Sequence, residues 1–189
     1  MKIYFAGDHA GFELKKDLME YVRGLGHEAE DMGPFAYDVD DDYPDFVIPL
    51  AKKVASYSPL ESLDSRRLGA LRRDVGGGMS TTPASEDLGT PFDKGDGDEV
   101  RGIICAGSGQ GEVMAANRVK GVRAAVYYGG RTDIVKVTRE HNNANILSIG
   151  ARFIGEDDAK AGVKVFLEAP FSADERHVRR LAKIERLVG

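Results

Sequence analysis

The chain has 189 residues, enough for one well-buried domain and at most a small second one. Hydrophobic (42%) and charged (30%) residues are in the proportions of a globular protein, and a net charge of −5 gives no general attraction for nucleic acid or an anionic membrane. A single cysteine excludes an intramolecular disulfide. No apolar run approaches the ~20 residues of a membrane span, and the N-terminal run closes at once on Asp8, as a strand does rather than a signal peptide, so a cytoplasmic location is expected.

Strand and helix patterns then alternate. Lys2–Ala6 is a short buried-strand run. Gly11–Leu25 places Leu14, Leu18, Tyr21, Val22 and Leu25 at helical spacing, with Gly26 as C-cap. His27–Met32 reads as a second strand. Asp42-Tyr-Pro44 opens a helix to about Ala55, with proline early, where its missing N–H costs little. Between about Tyr57 and Asp98 the alternation lapses. Leu60, Leu63, Leu68 and Leu71 fit a short amphipathic helix, and 76–98 is rich in Gly, Ser, Thr, Pro and Asp, as a long loop is. This stretch, ~57–98, reads as a peripheral insertion or as a lid or interface element. Val100–Ala106 is the third strand and Glu112–Val119 the helix after it. Val122–Tyr127 and Asn145–Ile149 are the fourth and fifth strands, separated by a helix over Thr132–His141. Helices over Glu156–Leu167 and Ala173–Leu187 close the chain. Such alternation implies one α/β domain, a parallel sheet with helices on both faces and the site at the carboxyl ends of the strands.

Several residues at those ends can carry chemistry. Gly107-Ser-Gly-Gln-Gly111 follows the third strand, and its backbone N–H groups and the Ser108 hydroxyl suit an oxyanion. Its spacing is not the G-x-G-x-x-G of dinucleotide folds, and Tyr127-Tyr-Gly-Gly130 stands where an acidic ribose ligand is expected, which counts against NAD. Glu112 is either a charge favourable at a helix start or a base on the rim of that turn. Asp8-His9 after the first strand is a pair of titratable groups or a loop cap. His141, in Arg139-Glu-His-Asn-Asn143, either complements a helix C-terminus or acts as a general acid or base. Arg152 follows the fifth strand. Arg176 and Arg180 share one helix face beside His177, a solvated basic face or a grip for phosphate. Cys105 reads as inert packing. There is no Walker lysine and no Cys/His metal cluster.

Taken in order, these stretches resemble the type B ribose-5-phosphate isomerase family, which includes the galactose-6-phosphate isomerase subunits. The resemblance is carried by Gly7-Asp-His-Ala-Gly-Phe12 with Leu14-Lys15, Asp42-Tyr-Pro44, Gly107-Ser-Gly-Gln-Gly-Glu112 with Ala115-Ala-Asn117, Arg139-Glu-His-Asn142, Gly150-Ala-Arg152 and Arg176-His-Val-Arg-Arg180. It implies a Rossmann-like three-layer α/β/α sandwich with a five-stranded parallel sheet, one isomerase domain over 1–189, and no metal or cofactor. It implies a homodimer or homotetramer with shared sites, in which the C-terminal helix 173–187 contributes to the dimer and the phosphate site.

By the same resemblance, Asp8 or His141 helps open the sugar ring and Glu112 shuttles the proton between C2 and C1. Ser108 with Gly107, Gly109 and Gly111 holds the enediolate, Tyr43 flanks the sugar, and Asn142 binds a hydroxyl or the oxyanion. His9, Arg152, Arg176 and Arg180, with His177 beside them, bind phosphate, part of the set coming from a partner subunit. Many members carry a cysteine base just before the glycine turn. Here Ala106 stands there, and Cys105, one position earlier, falls on the opposite strand face. The chain thus resembles the branch that uses a glutamate at the position of Glu112. The expected reaction is ribose 5-phosphate to ribulose 5-phosphate. The rivals are a six-carbon substrate (allose 6-phosphate or galactose 6-phosphate), a non-catalytic sugar-phosphate binder, and a nucleotide-dependent oxidoreductase that the glycine spacing disfavours.

Overall fold

A computed structural model describes residues 1–57 and 99–188, so the expected insertion lies almost wholly outside the described residues. The elements are β1 (Lys2–Gly7), a 3-10 turn (His9–Gly11), α1 (Phe12–Gly24), β2 (Glu28–Asp31), α2 (Pro44–Ala55), β3 (Val100–Ala106), α3 (Gln110–Ala116), β4 (Ala124–Tyr127), α4 (Asp133–Asn142), β5 (Ile146–Gly150), α5 (Glu156–Glu168) and α6 (Glu175–Val188).

The local differences from the sequence pattern have local causes. Gly109, at φ +72°, is the residue before α3, so the helix starts at Gln110, two residues before Glu112. It stops at Ala116 because the Asn117 side chain turns to the next strand, donating to Ala124 O at 3.0 Å and accepting from Ala124 N at 2.8 Å. β4 begins at Ala124 rather than Val122 because the Arg123 N–H is taken by Asn145 Oδ1 at 2.8 Å. Gly26 closes α1 as expected, at φ +85°, with its N–H on Arg23 O.

All strands are parallel, in the order β2-β1-β3-β5-β4. The period of two splits the apolar residues between two layers. Ile3, Phe5, Ile103, Cys105, Leu147 and Ile149 pack with Leu18 and Val22 of α1, Val135 of α4 and Val163 and Phe166 of α5. Tyr4, Ala6, Ile104, Ala106 and Ile146 pack with Val47, Leu50 and Val54 of α2 and Ala116 of α3. Helices on both faces of a five-stranded parallel sheet make the expected α/β/α sandwich. The chain leaves β1 in opposite directions, to β2 on one side and β3 on the other. That reversal opens a crevice beyond the carboxyl ends of β1 and β3, where such sheets bind ligands.

Candidate active site

Asp8 closes the crevice floor. It is buried, 9% exposed, and its carboxylate accepts two backbone N–H groups, Gly11 at 2.9 Å through Oδ1 and Gly107 at 3.0 Å through Oδ2. The side chain therefore staples the end of β1 to the turn after β3. That turn needs its glycines. Gly109 has a left-handed φ, and a Cβ on Gly111 would lie 2.7 Å from the Tyr43 hydroxyl oxygen. Tyr43, at the entry of α2, is thus seated on the turn. Ser108 is exposed, and its Oγ accepts the Gln110 N–H at 3.3 Å.

Glu112, in the first turn of α3, is 4% exposed. Burial raises its pKa above the ordinary carboxylate value, and the negative charges of Asp8 and Asp41 push the same way, while a hydrogen bond from its own backbone N–H opposes them. A carboxylate held closer to neutrality on the rim of a glycine turn suits reversible proton transfer at carbon.

His9 joins this group. Its Nδ1 lies 2.8 Å from Asp41 Oδ1 and its Nε2 3.4 Å from Arg152 Nη2. The Arg152 backbone N–H is bound to Gly107 O at 3.1 Å, and its guanidinium lies 3.5 Å from where a Gly107 Cβ would stand. Asp8, His9, Tyr43, Gly107, Ser108, Gly109, Gly111, Glu112 and Arg152 therefore share one crevice.

The other predicted residues are elsewhere in the chain. α4 connects two parallel neighbours, so it runs back to the amino edge of the sheet. Arg139, two residues before His141, lies 3.8 Å from Glu99, which precedes β3, and the carbonyl of Asn143 bonds Arg123, which precedes β4. His141 and Asn142 are on that edge. The five-residue strand β5 separates them from the crevice by a span of about 16 Å. His177 joins them, its ring stacked on His141 at 4.2 Å, with Arg176 Nε 3.2 Å from its Nε2. His177 is 4% exposed, and burial, then the neighbouring His141 and Arg176, lowers its pKa. Arg180 lies one turn further along α6. Within one chain the residues named by the resemblance thus fall into two groups, one at each edge of the sheet.

Cys105 is fully buried in the α1/α5 layer, and burial raises its thiol pKa well above the ordinary range, so it holds no thiolate facing the crevice. Asp41 was not singled out from the sequence. Its signal was faint, an acidic run Asp40-Asp-Asp42 before Tyr43 that reads as solvated loop.

Among the described residues no group of three or more His, Cys, Asp or Glu could hold a metal ion, and no helix is long and apolar enough to cross a membrane.

Comparison with known proteins shows the family. A profile of the family described as Ribose/Galactose Isomerase matches residues 3–80 and 91–184. Ribose-5-phosphate isomerase B of Mycobacterium leprae is 34% identical over 189 residues, covering 98% of this chain and 91% of that protein. A probable ribose-5-phosphate isomerase B of Mycoplasma genitalium is 33% identical, covering 97% and 93%. Among solved structures, the Mycoplasma genitalium ribose-5-phosphate isomerase B with bound ribulose-5-phosphate superposes with a TM-score of 0.72 at 32% identity, over 98% of this chain and 95% of that one. The type B ribose 5-phosphate isomerase of Trypanosoma cruzi gives 0.72 at 28% identity, over 100% and 98%. The chain belongs to the ribose/galactose isomerase family and is an aldose–ketose isomerase.

Proposed function

We propose that the protein interconverts ribose 5-phosphate and ribulose 5-phosphate with Glu112 as the proton shuttle. The observation that carries this reading is the buried Glu112 carboxylate, with its raised pKa, on the glycine turn at the sheet's switch point. Once the ring is open, Glu112 takes the proton from C2, and negative charge develops on O1. The Ser108 hydroxyl and the N–H groups of the turn stabilise that charge. The O2 proton passes to O1, and Glu112 returns its proton to C1, giving the ketose. A base and oxyanion donors suffice, so no step is routed through a metal.

His9 and Arg152 hold the phosphate on the crevice side. A second copy of the chain brings its amino edge to the crevice, with His141 as the acid that opens the ring, Asn142 on a hydroxyl, and Arg176 and Arg180 on the phosphate. The span of β5 supports this reading, because within one protomer these groups are beyond hydrogen-bond reach of Glu112. Asp8 is then a brace rather than the ring opener, since both its oxygens accept backbone N–H groups. The single cysteine fits a cytoplasmic location, where thiols stay reduced.

Purified protein with ribose 5-phosphate and EDTA tests the reaction. EDTA-resistant isomerisation lost in Glu112→Gln is expected. Full activity of that variant overturns the base assignment, binding without turnover overturns the enzyme, and a higher kcat/KM for six-carbon phosphates overturns the substrate. For the shared site, inactive Glu112→Gln and His141→Ala subunits are mixed. Recovered activity is expected from the mixed dimer's one intact composite site, and none means that each subunit works alone.

A further inference from the structure

Asp41 is a buried charge that the reaction above does not use. Its side chain is 4% exposed. Oδ1 bonds His9 Nδ1 at 2.8 Å, and Oδ2 is the one buried side-chain polar atom among the described residues with no hydrogen-bond partner. A half-satisfied buried carboxylate is costly and is not what a purely structural position selects. The loop that carries it is deliberately anchored. The fully buried Lys15 donates to Asp31 Oδ1 at 2.6 Å and to Pro34 O at 2.7 Å, and the Asp31 carboxylate also takes the Gly33 N–H. Tyr37 of the same loop meets the His9 ring edge-on at 6.3 Å.

We propose that Asp41 is a positioning residue of the phosphate subsite that acts through His9. A carboxylate at neutral pH only accepts, so the bonded Nδ1 must carry a proton. This fixes the tautomer of the neutral ring and its orientation, and turns Nε2 toward Arg152, 3.4 Å away. In that tautomer Nε2 is an acceptor, so it takes an N–H of the Arg152 guanidinium and fixes the remaining donors of that group toward one phosphate. Without Asp41 the ring is free to rotate and to place its proton on either nitrogen. The inference rests on the sugar-phosphate reading above.

The test measures inorganic phosphate binding by calorimetry, steady-state kinetics with ribose 5-phosphate and thermal stability. The proteins are wild type, Asp41→Ala, Asp41→Asn, His9→Ala and the Asp41→Ala/His9→Ala double variant, at a pH where Glu112 is ionised. Asp41→Ala is expected to weaken phosphate binding and raise KM about tenfold, the loss of one oriented hydrogen bond, with kcat within about threefold. Asp41→Asn restores most of the affinity, because an amide oxygen still accepts the Nδ1–H. Asp41→Ala adds little on top of His9→Ala, since it acts through that ring. Its melting temperature does not fall, because the lost group was incompletely paired. Unchanged phosphate affinity and KM, losses that multiply with those of His9→Ala, or a fall in kcat at constant KM would each overturn the proposal. So would a melting temperature that falls in both Asp41 variants, which marks a structural carboxylate. Phosphate binding needs no turnover, so it decides the role of Asp41 even if ribose 5-phosphate is not isomerised, an outcome that would sink the isomerase reading alone.

Discussion

The two edges of the sheet bury charge in opposite styles. On the amino edge Arg101 and Arg139 are 3% and 4% exposed, and their donors are spent on the protein itself. Arg101 bonds Phe166 O and Glu99. Arg139 bonds Ala169 O at 3.3 Å, Asn143 Oδ1 at 2.9 Å and Ala144 O at 2.5 Å. On the carboxyl edge Asp8, Asp41 and Glu112 bring like charges together, Glu112 is driven toward neutrality, and one Asp41 oxygen is left unpaired. Burial that only holds a fold satisfies its polar groups; burial that serves chemistry keeps some of them in tension. Both styles occur within one strand length of each other, so the difference is set by position in the sheet and not by composition.

The sharpest way to break this contrast is Glu112→Gln. Loss of the base is expected to lower kcat about a thousandfold or more, read by ribulose 5-phosphate formation. Stability should move the other way. Because the native pKa is raised, the folded state holds a proton over a pH window in which the unfolded chain has lost it. Stability therefore falls as pH rises through that window, and the cost persists at neutral pH. Glutamine removes the cost, so the variant should melt higher than wild type at neutral pH, with the gain vanishing below the ordinary carboxylate range.

On the other edge the expectation reverses. Arg139→Ala strands the carbonyls of Ala144 and Ala169 and should cost about 2–4 kcal/mol in urea unfolding. A variant as stable as wild type would show that the amino-edge arginines are not structural. A smaller effect is expected from Asp41→Asn, which removes a negative charge near Glu112. The acid limb of the kcat/KM profile, where the base ionises, should move to lower pH. An unmoved limb would mean that Asp41 does not act on Glu112. Least of all, Cys105→Ala should leave kcat within about twofold and cost roughly 1–2 kcal/mol of stability through a small cavity. A dead enzyme there would put the base back on the thiol.

Much of this was legible in the chain. Alternation of period-two and helical patterns marks every described strand and helix. Boundary errors fall where a side chain, Asn117 or Asn145, takes a backbone group that the pattern assigned to an element. The face of Cys105 follows from its distance to Ala106, one residue along a pleated strand. The glycine turn with Glu112 was also legible, because it is contiguous. The place of Asp41 and its pairing with His9 were not. Asp8 meets Gly107 across 99 positions and His9 meets Asp41 across 32, and no local pattern encodes such meetings.

By itself, then, the sequence determined the elements, their buried faces and the chemistry available at each loop, since these depend on neighbours one to four residues away. Only the tertiary structure decided which loops converge. Strand order brings β1 beside β3 and so joins Asp8, His9, Arg152 and Glu112 in one crevice. The return of α4 to the far edge carries His141 out of reach of it. The Asp41 carboxylate acquires its role from a fixed loop that buries it against His9, where lost solvation makes a single hydrogen bond count.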